Sequence, residues 1–223
     1  MKIYMLSLLF LIFGLVSCDF KKDEKIEDTA IPVTSDKDSE DNKKTVETAP
    51  ETFKPLESWK GYYSDKVQGF DMSHFKKKES FDLVPHETTV KPIWSPEFNP
   101  VYKKFIKYNH DSTKYVDFMS YKLQFDQNNE VSISPDQEVV IVDVKNKKIE
   151  SILFYGPSYW IEDAYFKNDS TLILLENSTD QVPAYQEINL NTLKSDYYTY
   201  DKKLDFSSSY LKDKLLSIYG DEF

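Results

Sequence analysis

The chain has 223 residues and a formal net charge of −10, and apart from three histidines its basic residues are all lysines. Arginine supplies the planar fork that reads guanine edges and grips phosphate groups through two hydrogen bonds. A negatively charged chain is also repelled by nucleic acid and by anionic lipid headgroups. The composition therefore excludes nucleic acid as an expected partner, and attachment to a membrane has to come from a lipid anchor.

The predicted elements begin with a lipoprotein signal peptide over residues 1–17. Lys2 precedes an apolar run, Ile3 to Val16, which is shorter than the ~20 residues that a membrane-spanning helix needs. Leu15-Val16-Ser17-Cys18 resembles a bacterial lipobox, and Cys18 is the only cysteine. We therefore expect Cys18 to carry the acyl chains, palmitate among them, and to anchor the protein in the lipid bilayer of the cell envelope. The outer membrane is the expected site, with the periplasmic or surface face left open.

Residues 18–57 predict a disordered acidic tether. The segment is dense in charged residues, serine and threonine, and Phe20 and Phe53 are its only aromatic residues. Such a composition buries too little apolar area to offset the conformational entropy of the chain. Lys22-Asp23-Glu24 resembles the lysine-plus-acidic export signals of surface lipoproteins in Bacteroidota, although a charge-rich tether also produces such triplets by chance.

Three short triplets resemble the O-glycosylation sequence of exported Bacteroidota proteins. Asp28-Thr29-Ala30 lies in the predicted tether, so Thr29 is a candidate glycosylation site. Asp111-Ser112-Thr113 and Asp169-Ser170-Thr171 fall in predicted turns, where ordinary turn chemistry explains them equally well.

Residues 58–223 predict a single β-rich domain. A β-branched run at 138–144 and a second run at 149–155 flank a lysine-rich turn and predict a hairpin. The same reasoning predicts further hairpins at 164–176 and 185–200.

Two parts of this domain lie outside the hairpins. A short C-terminal helix is expected from an N-cap at Ser209 to a stop at Gly220. Its apolar face comprises Leu211, Leu215, Ile218 and Tyr219. Residues 58–100 are expected to add strands through their aromatic residues, which are Trp59, Tyr62, Tyr63 and Phe70.

The hairpins repeat along the chain. His110-Asp111-Ser112-Thr113 matches Asn168-Asp169-Ser170-Thr171, which defines two units at about 100–155 and 158–201, with the extra residues of the first unit around 121–131. Two hairpins in ~45 residues are typical of a propeller blade, but two units cannot close a ring of roughly four or more blades. The expected fold is therefore mainly β, with antiparallel blade-like hairpin repeats in an incomplete propeller-like sheet or a small sandwich.

The segment Tyr155-Gly156-Pro157-Ser158-Tyr159-Trp160-Ile161-Glu162-Asp163-Ala164 follows a hairpin that ends Ile152-Leu153-Phe154 and precedes the second Asp-Ser-Thr turn. Over about residues 94–200 this arrangement resembles flavobacterial-type lipoproteins of the Bacteroidota that carry β-propeller-like repeats. The resemblance implies an envelope location and a repeat-containing β fold, and it implies no particular activity.

The sequence offers no convincing catalytic pattern. His74, His86 and His110 are the only histidines, and none stands at a metal-ligand spacing from another or from Cys18. A glycine-rich phosphate loop and a Gly-x-Ser-x-Gly nucleophile elbow are also missing from the sequence. We therefore expect a protein without enzymatic activity, metal or cofactor.

The candidate ligand-binding residues form one cluster around Gly156-Pro157. In one interpretation the aromatic rings stack on a sugar or on an apolar patch of a partner, and two carboxylates accept hydrogen bonds from hydroxyl groups. The members of this cluster are Tyr155, Tyr159, Trp160, Glu162 and Asp163. The alternative, which the sequence favours, is a core-packing turn with Trp160 buried between sheet layers. Because adjacent residues of a strand point to opposite faces, Glu162 and Asp163 are expected to diverge.

Two functions remain open from the sequence alone. The first is a non-catalytic accessory or interaction lipoprotein of the envelope, which presents its β-rich domain to a protein or glycan partner. The second is a glycan-binding lipoprotein that uses the aromatic loop as its binding platform.

Overall fold

The computed structural model describes residues 54–126 and 131–220 of the chain. The signal peptide, Cys18, Thr29 and the tether up to residue 53 lie outside the described residues, so the predictions for them stay predictions. Neither helix in the described part of the chain is long and apolar enough to cross a membrane.

Eleven β-strands lie between two α-helices in the described part of the chain. In chain order the elements are α1 (Lys54–Ser64), β1 (Phe75–Asp82), β2 (Lys107–Tyr108), β3 (Lys114–Asp117), β4 (Leu123–Phe125), β5 (Val131–Ile133), β6 (Gln137–Asp143), β7 (Lys148–Tyr155), β8 (Tyr159–Asn168), β9 (Thr171–Ser178), β10 (Ala184–Asn189), β11 (Lys194–Tyr200) and α2 (Tyr210–Tyr219). Short 3-10 helices at Met72–His74 and Pro100–Lys104 lie in the connections.

The strands form two larger antiparallel sheets and one small one. One sheet has the strand order β2-β3-β6-β7, and the other has the order β1-β11-β10-β9-β8. The β4–β5 pair stands apart and lies between β3 and β6 in the chain, close to the predicted insertion at 121–131. The mainly β, antiparallel prediction is confirmed, and the three predicted hairpins are β6–β7, β8–β9 and β10–β11. The described strands form no closed ring of blades.

The two larger sheets share one apolar core, because alternate side chains of their strands point into it. On β9, Leu172 and Leu174 belong to this core together with Val139 of β6. The intervening Ile173 and Leu175 belong to a second cluster, under α1. Burial on both faces explains why β9 is a continuous apolar run and does not alternate with polar residues.

The first helix corrects the expectation that residues 58–100 add strands through Trp59, Tyr62, Tyr63 and Phe70. All but Phe70 lie in α1, where Trp59 and Tyr63 are fully buried on one helix face because they are four residues apart. Both rings pack against Phe70. Within the described part of 58–100, β1 is the only strand, and it pairs with β11.

The helix α1 also begins earlier than the predicted domain boundary. It starts at Lys54, so residues 54–57, the last four of the predicted tether, are helical. Pro55 suits the first turn of a helix, where its missing N–H has no intrahelical partner to lose. Leu56 is partly buried against the cluster under α1, which ties this first turn to the sheet.

The C-terminal helix forms where the sequence predicts it. Leu215 is buried in the shared core, and Leu211, Ile218 and Tyr219 pack against that core. Gly220 ends the helix with a φ of 70°, a left-handed conformation that glycine adopts without strain. The expected cap differs in detail, because Ser209 Oγ donates to Asp213 Oδ2 at 2.8 Å and does not accept from a backbone N–H.

Candidate functional site

The five predicted binding residues fall into two separate groups in the structure. Tyr155 ends β7 and Tyr159 begins β8, and both line an open pocket. Glu162 and Asp163 are buried where the two helices meet β8. Trp160 lies between the two groups. The predicted cluster is therefore not one surface.

Glu162 and Asp163 lie on the same side of β8, against the expectation that they diverge. The pairing of β8 with β9 shifts register between Ile161 and Asp163, which marks a β-bulge. A bulge adds one residue to a strand, so the alternation of side chains is interrupted at that point. As a result Glu162 reaches α1 and Asp163 reaches α2.

Glu162 anchors α1 from inside the protein. Its Oε2 accepts hydrogen bonds from Trp59 Nε1 and Tyr63 Oη, both at 2.7 Å. Its Oε1 accepts one bond from Ser208 Oγ and a longer one, at 3.4 Å, from Trp160 Nε1. Burial raises the pKa of Glu162, and the four donors oppose that rise. Because both oxygens are occupied, this carboxyl group is not available to a ligand.

Asp163 anchors α2 through an ion pair. Lys214 Nζ lies 2.6 Å from Asp163 Oδ2, and Tyr210 Oη donates to the same oxygen at 3.2 Å. Lys107 Nζ of β2 lies 3.8 Å from Oδ1. Glu162 and Asp163 thus attach both helices to β8, and we call this pair the helix joint.

Trp160 is half-buried, which corrects the favoured interpretation that it lies between sheet layers. Its ring belongs to none of the apolar clusters of the described residues. Its indole N–H donates to Glu162 at the edge of the helix joint. Trp160 does not line the pocket that Tyr155 and Tyr159 share.

Tyr155 and Tyr159 belong to a pocket of about 300 Å³, which we call the aromatic pocket. Its walls come from β1, the β7–β8 turn and the strands β7 to β11. They comprise Glu79, Phe81, Leu153, Phe154, Tyr155, Gly156, Tyr159, Glu176, Gln186 and Tyr197. Phe154 and Tyr159 are 58% and 45% exposed. Two large rings therefore stand in solvent at the rim, where a ligand can stack on them.

The aromatic pocket also contains a buried acid, Glu176, which is 1% exposed. Its Oε1 accepts hydrogen bonds from Tyr155 Oη at 2.9 Å and Gln186 Nε2 at 2.8 Å. Its Oε2 is buried and has no hydrogen-bond partner among the described residues. Burial raises the pKa of Glu176 to about 8. At neutral pH the group is therefore mostly protonated, and it offers an O–H donor as well as an acceptor.

Sequence reasoning missed Glu176 and Gln186. A signal was present, because Glu176 directly follows the apolar run at 172–175, and a carboxyl group in a doubly buried strand is costly unless it is paired. The sequence does not show that Tyr155, from another hairpin, meets this acid. That contact depends on how the two sheets pack.

The three histidines lie apart from one another. His74 Nδ1 is 3.1 Å from Asp201 Oδ2 at the surface. His86 forms an isolated backbone bridge with Ser151, and His110 lies in the turn after β2. Within residues 54–126 and 131–220, no group of three or more histidine, cysteine, aspartate or glutamate side chains is arranged to hold a metal ion.

The two later Asp-Ser-Thr triplets occupy the matching turns β2–β3 and β8–β9. In the first of them, Thr113 Oγ1 donates to Asp111 Oδ1 at 2.6 Å, and Ser112 has a φ of 56°. The turns also touch each other, since the Asp111 backbone N–H donates to Asp169 Oδ1 at 3.2 Å. Turn geometry accounts for these residues.

No family model matches the chain, and no curated protein or solved structure is significantly similar to it. The resemblance to flavobacterial-type lipoproteins therefore stays a prediction.

Proposed function

We propose that the protein is a lipid-anchored, non-catalytic binding module of the cell envelope, which presents its β-rich domain on a tether from Cys18. The lipobox and the acidic composition of the tether support the anchor. Cys18→Ala should abolish the incorporation of labelled fatty acid and the processing of the signal peptide. Labelling of this variant at the wild-type level would contradict the anchor.

The two units are, in this proposal, copies of one blade-like repeat. The strands β2-β3-β6-β7 and β8-β9-β10-β11 are adjacent in chain order within their sheets, so each unit is a four-stranded meander. The β4–β5 hairpin accounts for the greater length of the first unit. The matching turn sequences precede β3 and β9, the second strand of each meander.

The ligand class that the aromatic pocket favours is a neutral carbohydrate. The observation that supports this proposal is that Oε2 of Glu176 has no hydrogen-bond partner in the described part of the chain. A sugar hydroxyl supplies the hydrogen bond that this buried oxygen lacks. Tyr159 and Tyr197 offer ring faces on which a sugar ring packs. The volume of about 300 Å³ is at the lower end for small-molecule sites and suits a single ring.

Charge in the pocket supports a neutral ligand over an acidic one. Glu79 lies at the exposed side of the pocket, and none of the lysines that the structure describes lines it. A ligand carboxylate would therefore meet a like charge without a compensating cation. A protonated Glu176 is neutral, so it can form a hydrogen bond with a hydroxyl group without a compensating cation.

A glycan array with the full chain tests this proposal. Tyr159→Ala and Glu176→Leu should abolish the signal, because the first removes the stacking ring and the second removes the polar group. Glu176→Gln should retain the signal, since an amide also offers a donor and an acceptor. Trp94→Ala is the matched control, because Trp94 is an aromatic residue exposed to a similar extent, at 36%, and lies outside the pocket.

Three outcomes would contradict the proposal. Equal binding by Glu176→Leu and the wild type would remove Glu176 from the site. Loss of binding in the Trp94→Ala control would indicate that the binding site includes Trp94 and lies outside the aromatic pocket. Hydrolysis of a bound oligosaccharide would overturn the non-catalytic part, since Glu79 and Glu176 are both carboxyl groups and glycoside hydrolysis uses a pair of them.

A further inference from the structure

A larger cavity, of about 740 Å³, lies at the first turns of α1 and α2 and is lined also by residues of β2 and β8. Its volume is within the range of small-molecule sites. The residues that matter for its chemistry are Lys54, Lys107, Tyr108, Asp163, Tyr210 and Lys214. We call it the lysine cavity. It shares no lining residue with the aromatic pocket.

The lysine cavity has more positive than negative charge in its wall. Lys107 and Lys214 converge on the single carboxylate of Asp163, at 3.8 Å and 2.6 Å. Among the described residues, Asp163 is the only acid that forms an ion pair with either lysine. Two ammonium groups on one carboxylate leave one positive charge uncompensated, in a chain whose net charge is −10.

This charge is held in a partly buried place. The side chains of Lys107 and Lys214 are 25% and 22% exposed. Burial lowers the pKa of Lys214; the negative charge of Asp163 opposes that change, and the positive charge of Lys107 adds to it. A partly buried charge without a counter-ion of its own is unfavourable, and an anion that enters the cavity reduces that cost.

The ammonium groups also retain hydrogen-bonding capacity. Each has three N–H donors, and Asp163 is the acid that each of them meets. Tyr108, which is 40% exposed, and Tyr210 add aromatic surface to the same wall. A ligand with one anionic group and a ring therefore meets both a charge partner and an apolar contact.

We propose that the lysine cavity binds a small organic anion, in which a carboxylate or a phosphate group is carried on a ring. Lysine is a compact point charge and does not form the paired hydrogen bonds of arginine, so it accepts either anionic group. The repulsion from Asp163 is small because Lys214 and Tyr210 already hold its Oδ2. This site is independent of the carbohydrate proposed for the aromatic pocket.

Calorimetric titration of the full chain at low ionic strength tests the lysine cavity. The probes are galacturonate and glucose 6-phosphate, with galactose and glucose as their neutral counterparts. At least one anion should bind, and the affinities for galacturonate and glucose 6-phosphate show whether a carboxylate or a phosphate is preferred. Lys107→Met should weaken that binding by at least about tenfold, because it removes a charge partner. Added salt should weaken it further.

Lys212→Met is the matched control, since Lys212 is an exposed lysine on the same helix as Lys214 and does not line the cavity. It should bind the anion like the wild type. A thermal melt of Lys107→Met separates loss of a charge partner from loss of fold. If neither anion binds, if the neutral sugars bind equally well, or if a folded Lys107→Met binds unchanged, the proposal is wrong.

Discussion

Glu162 of the helix joint and Glu176 of the aromatic pocket are both buried carboxyl groups, and the two groups are used differently. Glu162 accepts four side-chain hydrogen bonds, which occupy both of its oxygens. From the described residues Glu176 accepts two, both on the same oxygen. The difference comes from the covering elements, because α1 and Ser208 supply three of the donors to Glu162. A carboxyl group whose two oxygens are both hydrogen-bonded, such as Glu162, stabilises the fold. A carboxyl group with one oxygen that lacks a partner among the described residues, such as Glu176, can form a further hydrogen bond with a ligand.

The largest effect that this comparison predicts is at Glu162. Glu162→Leu removes the acceptor of Trp59 Nε1 and Tyr63 Oη, which are buried and have to stay buried for α1 to pack. Buried donors without an acceptor cost the full desolvation of each group. We expect a loss of about 3–5 kcal/mol in the free energy of unfolding, measured by urea-induced unfolding.

Glu97→Leu is the control for this change, since the side chain of Glu97 is 67% exposed and pairs only at the surface with Lys91. It should alter the free energy of unfolding by less than about 0.5 kcal/mol. If Glu162→Leu had an equally small effect, the donors would have to find other partners, and the helix joint would not hold α1.

At Glu176 the comparison predicts a dependence on pH. Burial raises its pKa in the folded protein to about 8, from the 4.5 that is usual for glutamate. Between these two values the folded state binds a proton that the unfolded state has lost, so stability falls as pH rises through this window. A glutamine at position 176 does not ionise, so the free energy of unfolding of Glu176→Gln does not fall in this way as the pH rises. We expect the variant to match the wild type near pH 5 and to exceed it by about 2–4 kcal/mol near pH 8.5.

Chemical unfolding at several pH values measures this difference. The other titratable groups that line the pocket with Glu176 are Tyr155, Tyr159, Tyr197 and Glu79. Burial raises the pKa of Tyr155 and Tyr197 above 10, so neither titrates in the window, and all four groups are present in both proteins. Parallel pH curves for the two proteins would show that Glu176 is ionised in the folded state and would contradict its assignment as a donor.

Local patterns predicted much of the fold. The β-branched runs and polar turns identify the hairpins β6–β7, β8–β9 and β10–β11, and Gly220 marks the end of α2. The helix α1 was missed because Trp59, Tyr62 and Tyr63 have high strand propensity, and packing against the sheet outweighs that preference. Their spacing of three and four residues was the helical signal.

The candidate site was predicted only in part. Tyr155 and Tyr159 do share a pocket. Glu162 and Asp163 lie instead at the helix joint, on one side of β8, because a β-bulge interrupts the alternation from which the sequence predicts that they diverge. Glu176 was missed because its meeting with Tyr155 joins two hairpins that are separate in sequence.

The smallest predicted effect concerns Trp160, which donates to Glu162 from outside the core. Trp59→Ala is the matched change, because both indole N–H groups bind the same carboxyl group. Trp59 is fully buried, and its Nε1 lies 2.7 Å from Glu162 Oε2. Trp160 is half-buried, and its Nε1 lies 3.4 Å from Glu162 Oε1. We expect Trp59→Ala to cost about 3–5 kcal/mol.

For Trp160→Ala we expect a cost of about 1–2 kcal/mol, because part of the ring already contacts water and its hydrogen bond is long. Urea midpoints of the two variants, compared at equal m-values, measure the contrast. A cost for Trp160 equal to that for Trp59 would place its ring in the core, as the sequence favoured. It would also mean that the hydrogen bond from Trp160 stabilises Glu162 as much as the bond from Trp59 of α1 does. The contrast between the two buried carboxyl groups would then depend only on the oxygen of Glu176 that lacks a partner among the described residues.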